Sequence, residues 1–271
     1  MKRFVQKIFL VALALASLAP LASNAQVATS VNPSGFGDRQ FDMDTVYSVK
    51  KIREDDKMYQ ISVWRRIDLR EKYNLSLYGS GDNKANGIVN HIYKAVVDEN
   101  ALEVFADEDF TQPLSIAEFQ DNFWLSANGD SIFVKQLYYL DFKEDFVFEK
   151  HHSKTIFDIK YLELVMPSVT NANAGQKTIA YIRYKDFVNY FKNHPDARWI
   201  NFQNISKSLT YDEAFESRLF RSVVRRFTNP DEALIADLVD GEHPNPEMQA
   251  YINALAFEYK LLEFENSLWE W

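Results

Sequence analysis

Cysteine is absent from the 271 residues. That excludes disulfides, thiol nucleophiles, zinc–thiolate sites and a lipidated cysteine at a processing site, so the fold has to rest on its core. Histidine is scarce. The five present, His91, His151, His152, His194 and His243, do not show the helical spacing of two histidines four apart around a glutamate. The adjacent His151 and His152 would point to opposite faces of an extended chain, so no metal site is expected. A G-x-S-x-G elbow, a Walker loop and a dinucleotide fingerprint are also missing, and no cofactor is expected. Gly35 and Gly37, like Gly79 and Gly81, are lone G-x-G pairs read as turn glycines. No internal repeat of about 20–50 residues is visible, which argues against a solenoid.

Long apolar runs are confined to the first 25 residues. Lys2, Arg3 and Lys7 precede an apolar stretch from Ile8 to Leu15, Pro20 breaks it, and Ser23 and Ala25 are small residues three before and one before a cut after Ala25. This is the pattern of a secretory signal peptide, too short for a membrane span, so export without membrane insertion is expected. Removing those three cations from 30 basic residues leaves 27 against 39 acidic, a net charge of −12 for the 246-residue remainder. Nucleic acid is an unsuitable partner for that balance. A hydrophobic content of 46% with 15% aromatic residues excludes general disorder and calls for a Phe- and Tyr-rich core.

Residues 26–45 are polar, carry Pro33, Gly35 and Gly37, and show neither strand nor helix periodicity. They read as an extended N-terminal arm that either links or docks. The remainder, 46–271, reads as one α+β domain: a central, mostly antiparallel sheet flanked by helices, with a helical part over about 208–271 and a long C-terminal helix. Helices are expected over 54–73 and 88–97, and a short strand at Leu102, Val104 and Phe105. Ser115 with Glu118 forms a capping box that starts another helix. Strands are expected at Ile132, Val134, Leu137 and Tyr139, through Phe146 and Phe148, over 156–165 and over 179–184, with 168–178 as a loop. Thr210 with Glu213 is a second capping box, followed by Phe215, Leu219, Val223 and Phe227 at helical spacing. Asn229-Pro230 and Asn245-Pro246 each combine a cap with a first-turn proline. From Pro246, the apolar positions Tyr251 or Ile252, Leu255, Tyr259 and Leu262 describe the final helix.

Acidic clusters at Asp55-Asp56 and at Asp107, Glu108 and Asp109 raise hydrolase and calcium readings. Gln112 stands where a calcium loop needs glycine for its sharp turn, which favours a solvated loop. Trp124, Trp199, Trp269 and Trp271 are candidates for stacking on sugars, which makes a glycan-binding module an alternative function. Trp269 and Trp271, two apart near a helix end, cannot share one face, so at least one is expected to meet solvent or a partner.

The most informative stretch is VWRRIDLREKYNLSLY, residues 63–78. On a helix, Val63 and Ile67 lie on one side, Met58, Leu69 and Tyr73 on another, and Ile61 and Trp64 elsewhere, as expected of an element embedded between bodies. Arg65, Asp68 and Lys72 fall together, with Asp68 serving both bases. Arg66 and Arg70 have no acid within local helical reach. Either they snorkel into water or a carboxylate from distant sequence or another subunit meets them in a bidentate contact. Trp64, Arg66, Asp68 and Arg70 are therefore the candidate interaction residues, with Trp269 and Trp271.

The same stretch resembles the V-W-R-x-I-D-L-R-E-K-x-N-x-x-L-Y segment of the GldN/PorN family, periplasmic components of the gliding-motility and type IX secretion machinery. The match comprises Trp64, Arg65, Ile67, Asp68, Leu69, Arg70, Glu71, Lys72, Asn74, Leu77 and Tyr78. SLTYDEAFESRLF, 208–220, and Phe110 with Pro113, Leu114 and Phe119 resemble further family segments. A departure lies at Gly79-Ser80, where an aromatic residue and a proline are expected. The resemblance implies a non-enzymatic subunit that self-associates into a ring beneath the outer membrane. It implies as partners an outer-membrane lipoprotein of the GldK/PorK type and the periplasmic part of a GldL/GldM-type motor.

Overall fold

The structure, a computed structural model, describes residues 48–50, 52–81, 85–126, 129, 131–170, 175–194, 196–201, 208–239 and 244–268. The expected leader and arm, together with Trp269 and Trp271, lie outside the described residues.

Five strands form an antiparallel sheet: β1 (Lys57–Asp68), β2 (Tyr139–Glu149), β3 (Lys154–Met166), β4 (Lys177–Arg183) and β7 (Val223–Phe227), in the order β4-β3-β2-β1-β7. A two-stranded ribbon joins β5 (Arg198–Trp199) to β6 (Leu209–Thr210). Six α-helices accompany them among the described residues: α1 (Leu75–Tyr78), α2 (Ile88–Val97), α3 (Ile116–Trp124), α4 (Tyr184–Lys192), α5 (Tyr211–Glu216) and α6 (Pro246–Leu268). The α+β class with a long C-terminal helix is as expected from the sequence.

One expectation is overturned at the centre of the sheet. The span 54–73 is not a helix: a 3-10 turn at Glu54–Asp56 leads into the twelve-residue strand β1, and a second turn covers Lys72–Asn74. Alternation explains it. Tyr59, Ile61, Val63 and Ile67 occupy every second position, and β2 sets Phe148, Phe146 and Leu140 directly opposite Tyr59, Ile61 and Ile67. Tyr59, Ile61, Val63 and Ile67, spread round a helix, share one face of the strand, whereas Trp64 lies on the other.

That face carries the core. Ile67, Leu140, Phe142, Leu162 and Ile182 pack beneath Ile92 of α2, Phe119 and Phe123 of α3, Phe187 and Phe191 of α4 and Phe215 of α5. Further along β1, Val63 joins Val224, Ile235 and Ala254 of α6 in a second cluster. On the opposite face, Ile52 covers Val147 and Ile156.

Local signals place the helices. α2 runs over Ile88–Val97 as expected, and burial of Ile88, Val89, Ile92 and Val96 fixes its inner face. Ser115 and Glu118 close the capping box of α3, with the Ser115 amide donating to Glu118 at 2.9 Å. The Thr210 amide donates to Glu213 at 3.2 Å to start α5. α5 stops at Glu216, however, and the helical spacing of Phe215, Leu219, Val223 and Phe227 is coincidental: Arg218 takes a positive φ of 51° and Val223–Phe227 is a strand. The Asn229-Pro230 signal makes a turn rather than a helix, because the Asn229 side chain accepts from the Ala233 amide at 3.0 Å. The helical part over about 208–271 is thus reduced to α5 and α6, with the latter starting at Pro246 as its cap pattern requires.

Two smaller expectations also change. Leu102 and Val104 belong to no strand; Phe105 alone bridges Tyr181 and Pro113. Val134 begins a 3-10 turn, Val134–Gln136, and β2 starts only at Tyr139. The family departure at Gly79 has a local reason: with φ at 80°, an added Cβ would lie 2.5 Å from the Gly87 backbone nitrogen, so an aromatic side chain cannot stand there.

Candidate interaction face on the central strand

The register of β1 on β2 places Asp68, Arg66, Trp64, Ser62 and Gln60 opposite Tyr139, Asp141, Lys143, Asp145 and Val147. Side chains directly opposite across an antiparallel pair share a face, so these ten form a polar ladder on the side away from the helical core.

Arg66 is its anchor. Its Nε donates to Asp141 Oδ1 at 2.7 Å and its Nη2 to Oδ2 at 2.6 Å, while Nη2 also donates to Gln176 at 2.9 Å. The guanidinium lies 4.4 Å from the centre of the Tyr139 ring. Burial works against its charge, but the Asp141 bonds outweigh it and raise the Arg66 pKa. The distant carboxylate expected for Arg66 is therefore Asp141 of the same chain, reached across a sheet.

Arg70 behaves differently. Contrary to the helical reading, its partner is local: Nε and Nη2 donate to Asp68 at 3.1 and 2.8 Å, and its backbone amide donates to the same carboxylate at 2.9 Å. Its guanidinium sits 3.5 Å from the Tyr138 ring centre. The Asp68 bonds, against some desolvation, raise its pKa. Asp68 thus serves Arg70 and not Arg65 with Lys72, because a strand turns Arg65 to the other face.

Trp64 is half-buried and gathers cations. Arg226 of β7 lies 3.8 Å from its ring centre and the Lys143 ammonium 4.8 Å away. Its Nε1 donates to the Tyr161 hydroxyl at 3.0 Å, which donates to Glu108 at 2.7 Å. Asp145 completes the ladder by accepting from Gln60 at 2.9 Å and Ser62 at 2.6 Å. Beside Asp141, Glu163 accepts from the Thr178 hydroxyl at 2.6 Å, and burial together with the Asp141 charge pushes its pKa up to about 7.

Behind the ladder lies a second charged group that the sequence did not disclose. Arg65 projects into the helical side between Val63 and Ile67, where its Nε donates to the fully buried Glu144 at 2.6 Å and its Nη1 to Glu258 of α6 at 2.5 Å. Glu144 also accepts from Arg218 at 2.5 and 3.2 Å. This network separates the main core from the cluster under α6. The available signal was a charged residue at an inward position of an alternating run.

The other candidates disperse. Asp107 folds its own loop, accepting from the Thr111 and Gln112 amides at 3.0 and 2.9 Å. Trp124 packs against the core and donates to Tyr93 at 3.0 Å, and Trp199 also packs against the core, so neither offers a free stacking platform. Among the described residues no group of three or more His, Asp and Glu side chains gathers as a metal site.

Chemically, the ladder consists of charges neutralised within the chain and held against aromatic rings. A family model described as "Gliding motility associated protein GldN" matches residues 52–270. Compared with curated proteins one by one, the sequence finds no significant match.

Proposed function

The chain belongs to the GldN family of gliding-motility-associated proteins, and from that premise we propose that it is a non-enzymatic structural subunit of the gliding and type IX secretion machinery. In this reading it is exported to the periplasm by its leader, self-associates into a ring and is held beneath the outer membrane by a GldK/PorK-type lipoprotein. The periplasmic part of a GldL/GldM-type motor meets the ring. The arm at 26–45 and the terminal Trp269 and Trp271 serve as additional contacts with neighbours.

The observation that carries this reading is the ladder around Trp64 and Arg66. A tryptophan with two cations at its ring, beside a buried bidentate arginine, is the side-chain combination on which interface energy concentrates.

Co-expression with the lipoprotein, affinity capture and imaging test the reading. Ring-shaped complexes are expected, and Trp64→Ala is expected to weaken capture at least tenfold beyond what its loss of stability, measured by thermal melting of the isolated chain, accounts for. A chain that remains solitary in the presence of the lipoprotein, or a Trp64→Ala variant captured as well as the parent, contradicts it.

A further inference from the structure

The pairing registers set one residue from each of the five strands into a single row across the outer face of the sheet. Arg226 stands opposite Trp64, Trp64 opposite Lys143, Lys143 opposite Tyr161 and Tyr161 opposite Arg183, so cations alternate with aromatic rings. One end of the row is satisfied within the chain. Arg183 pairs with Glu103 and Asp186, both at 2.5 Å, and Tyr161 donates to Glu108 while Phe110 meets its ring edge-on at 6.1 Å. The other end is not. Arg226 and Lys143 lie at the Trp64 ring, yet among the described residues neither has a carboxylate at ion-pair distance, whereas Arg65, Arg66, Arg70, Arg218 and Arg221 each do. Lys143 is thereby the exception among the charges of the ladder.

Beside them stands Arg225, which the shift in register between β1 and β7 leaves without a cross-strand partner. Asp141 is engaged by Arg66 and Asp237 acts on Arg225 only from farther off, while burial and the Arg66 charge hold the Arg225 pKa below the ordinary arginine value. In a chain with 39 acids to 30 bases, three such cations around one tryptophan are an uncompensated charge. Like charges held close together repel, and an anion placed among them relieves the repulsion. We propose that Arg225, Arg226 and Lys143 receive an acidic segment of a partner protein, laid across strands β7, β1 and β2. The inference rests on the reading of this face as the docking face of a secretion subunit, and it names the chemistry of the partner.

Geometry selects a peptide over other anions. A guanidinium 3.8 Å from the ring centre covers one face of Trp64, so a stacking sugar would have to displace it. A membrane surface is wider than the row. Along one side of the row Asp141 stands opposite Glu163, and along the other Asp145 stands opposite Asp158, each pair of carboxyl groups sharing one cation, Arg66 or Lys160. A plane of anionic headgroups would press on those acids, whereas a single extended segment passes between them. From Arg226 to Lys143 the row crosses two strand spacings, about 10 Å, and an extended chain presents every second side chain on one side about 7 Å apart. Two acids separated by one residue therefore reach both cations.

The probe is a fluorescent peptide of alternating Glu and Ser, titrated into the full exported chain by anisotropy, with its Gln-Ser counterpart as the uncharged control. Saturable binding of the Glu-Ser peptide alone is expected at about 50 mM salt. Lys143→Gln combined with Arg226→Gln is expected to weaken it about tenfold, and Arg226→Lys, which keeps the charge, to stay within about twofold of the parent. Removing two exposed cations elsewhere, Lys94→Gln with Lys192→Gln, should also leave binding within about twofold, because screening confines the effect to nearby charges. Three results overturn the proposal: no binding of the Glu-Ser peptide, an equal loss on removing Lys94 and Lys192, or preference of the same residues for phosphatidylglycerol vesicles over the peptide. Capture by the lipoprotein is measured on the same samples. Capture by a chain that binds no acidic peptide defeats the acid-receiving site and leaves the subunit reading standing, whereas peptide binding through these residues without capture does the reverse.

Discussion

Replacement of Arg65 and Glu144 tests the physics of the charged network behind the sheet. Glu144 has no exposed surface and is held by Arg65 at 2.6 Å and Arg218 at 2.5 Å, whereas Arg218 and Glu258 retain 29% and 33% side-chain exposure. Arg65→Met removes one of two cations from a carboxylate that cannot reach water, and losing one partner of a buried pair costs about 3–5 kcal/mol. Glu144→Leu strands Arg65 with Glu258 alone and costs a similar amount. The double variant fills the same space with apolar groups, which by analogy with other buried pairs is near neutral, and its outer partners Arg218 and Glu258 are wet enough to be solvated. Urea unfolding of the four proteins should therefore give a coupling energy of about 3 kcal/mol or more, with each single variant melting about 10 °C lower for a domain of this size. Additive losses, with a coupling below about 0.5 kcal/mol, would show that the two side chains do not depend on each other and would refute the argument.

Glu163 gives a pH signature. Its pKa is raised in the folded chain from 4.5 to about 7, so its contribution is fully present below pH 4.5 and is lost as pH rises through 7, by at most about 3 kcal/mol. Glu163→Gln keeps an acceptor for Thr178 and should be more stable than the parent at pH 8 and equal to it near pH 4.5 in thermal melts; equal stability at both pH values would contradict the shift. Asn74 is fully buried and bonds three backbone groups, donating to Asp68 and Arg221 at 2.7 and 2.9 Å and accepting from the Arg221 amide at 2.8 Å. Asn74→Ala leaves all three unsatisfied and should cost about 3 kcal/mol or more in denaturant unfolding, while a loss below about 1 kcal/mol would mean that water replaces the side chain.

Where the sequence spoke clearly, it did so through short-range chemistry. The Ser115–Glu118 box, the amphipathic spacing of 88–97 and the Asn245-Pro246 start of α6 are each decided by residues within one or two turns of one another, so they can be read without knowing the fold. The strand β1 is hidden in the sequence for the opposite reason. Arg65 sits at an inward position among Tyr59, Ile61, Val63 and Ile67, and its presence hides the alternation. Glu144 and Glu258, 79 and 193 residues away, make a charge acceptable there. The spacing of Phe215 to Phe227 deceived similarly, since Arg218 ends α5 at positive φ without the glycine that usually marks such a stop. Arg66 shows the two regimes together: its lack of a helical partner correctly called for a distant carboxylate, although the surface on which it stands is a sheet. The stripe Ile252, Leu255, Tyr259 and Leu262 located α6, yet it is the side turned away from the sheet, because Phe257 and Leu261 on the other side hold the helix down.

The pairing of β1 with β7 brings together Val63 and Phe227, separated by about 160 residues. The stretch Val63–Arg66 of the earliest strand is consequently covered by the last one, and until that happens its hydrogen-bonding groups on that side stand bare. Contacts of such long range form late, and a bare strand margin is adhesive toward other unfinished chains. A nascent molecule is thus exposed to misassociation until nearly the whole chain is available, and any truncation before residue 223 leaves the sheet without its fifth strand. Shortened products of this gene would be expected to precipitate or be degraded, even though they retain most of the main core.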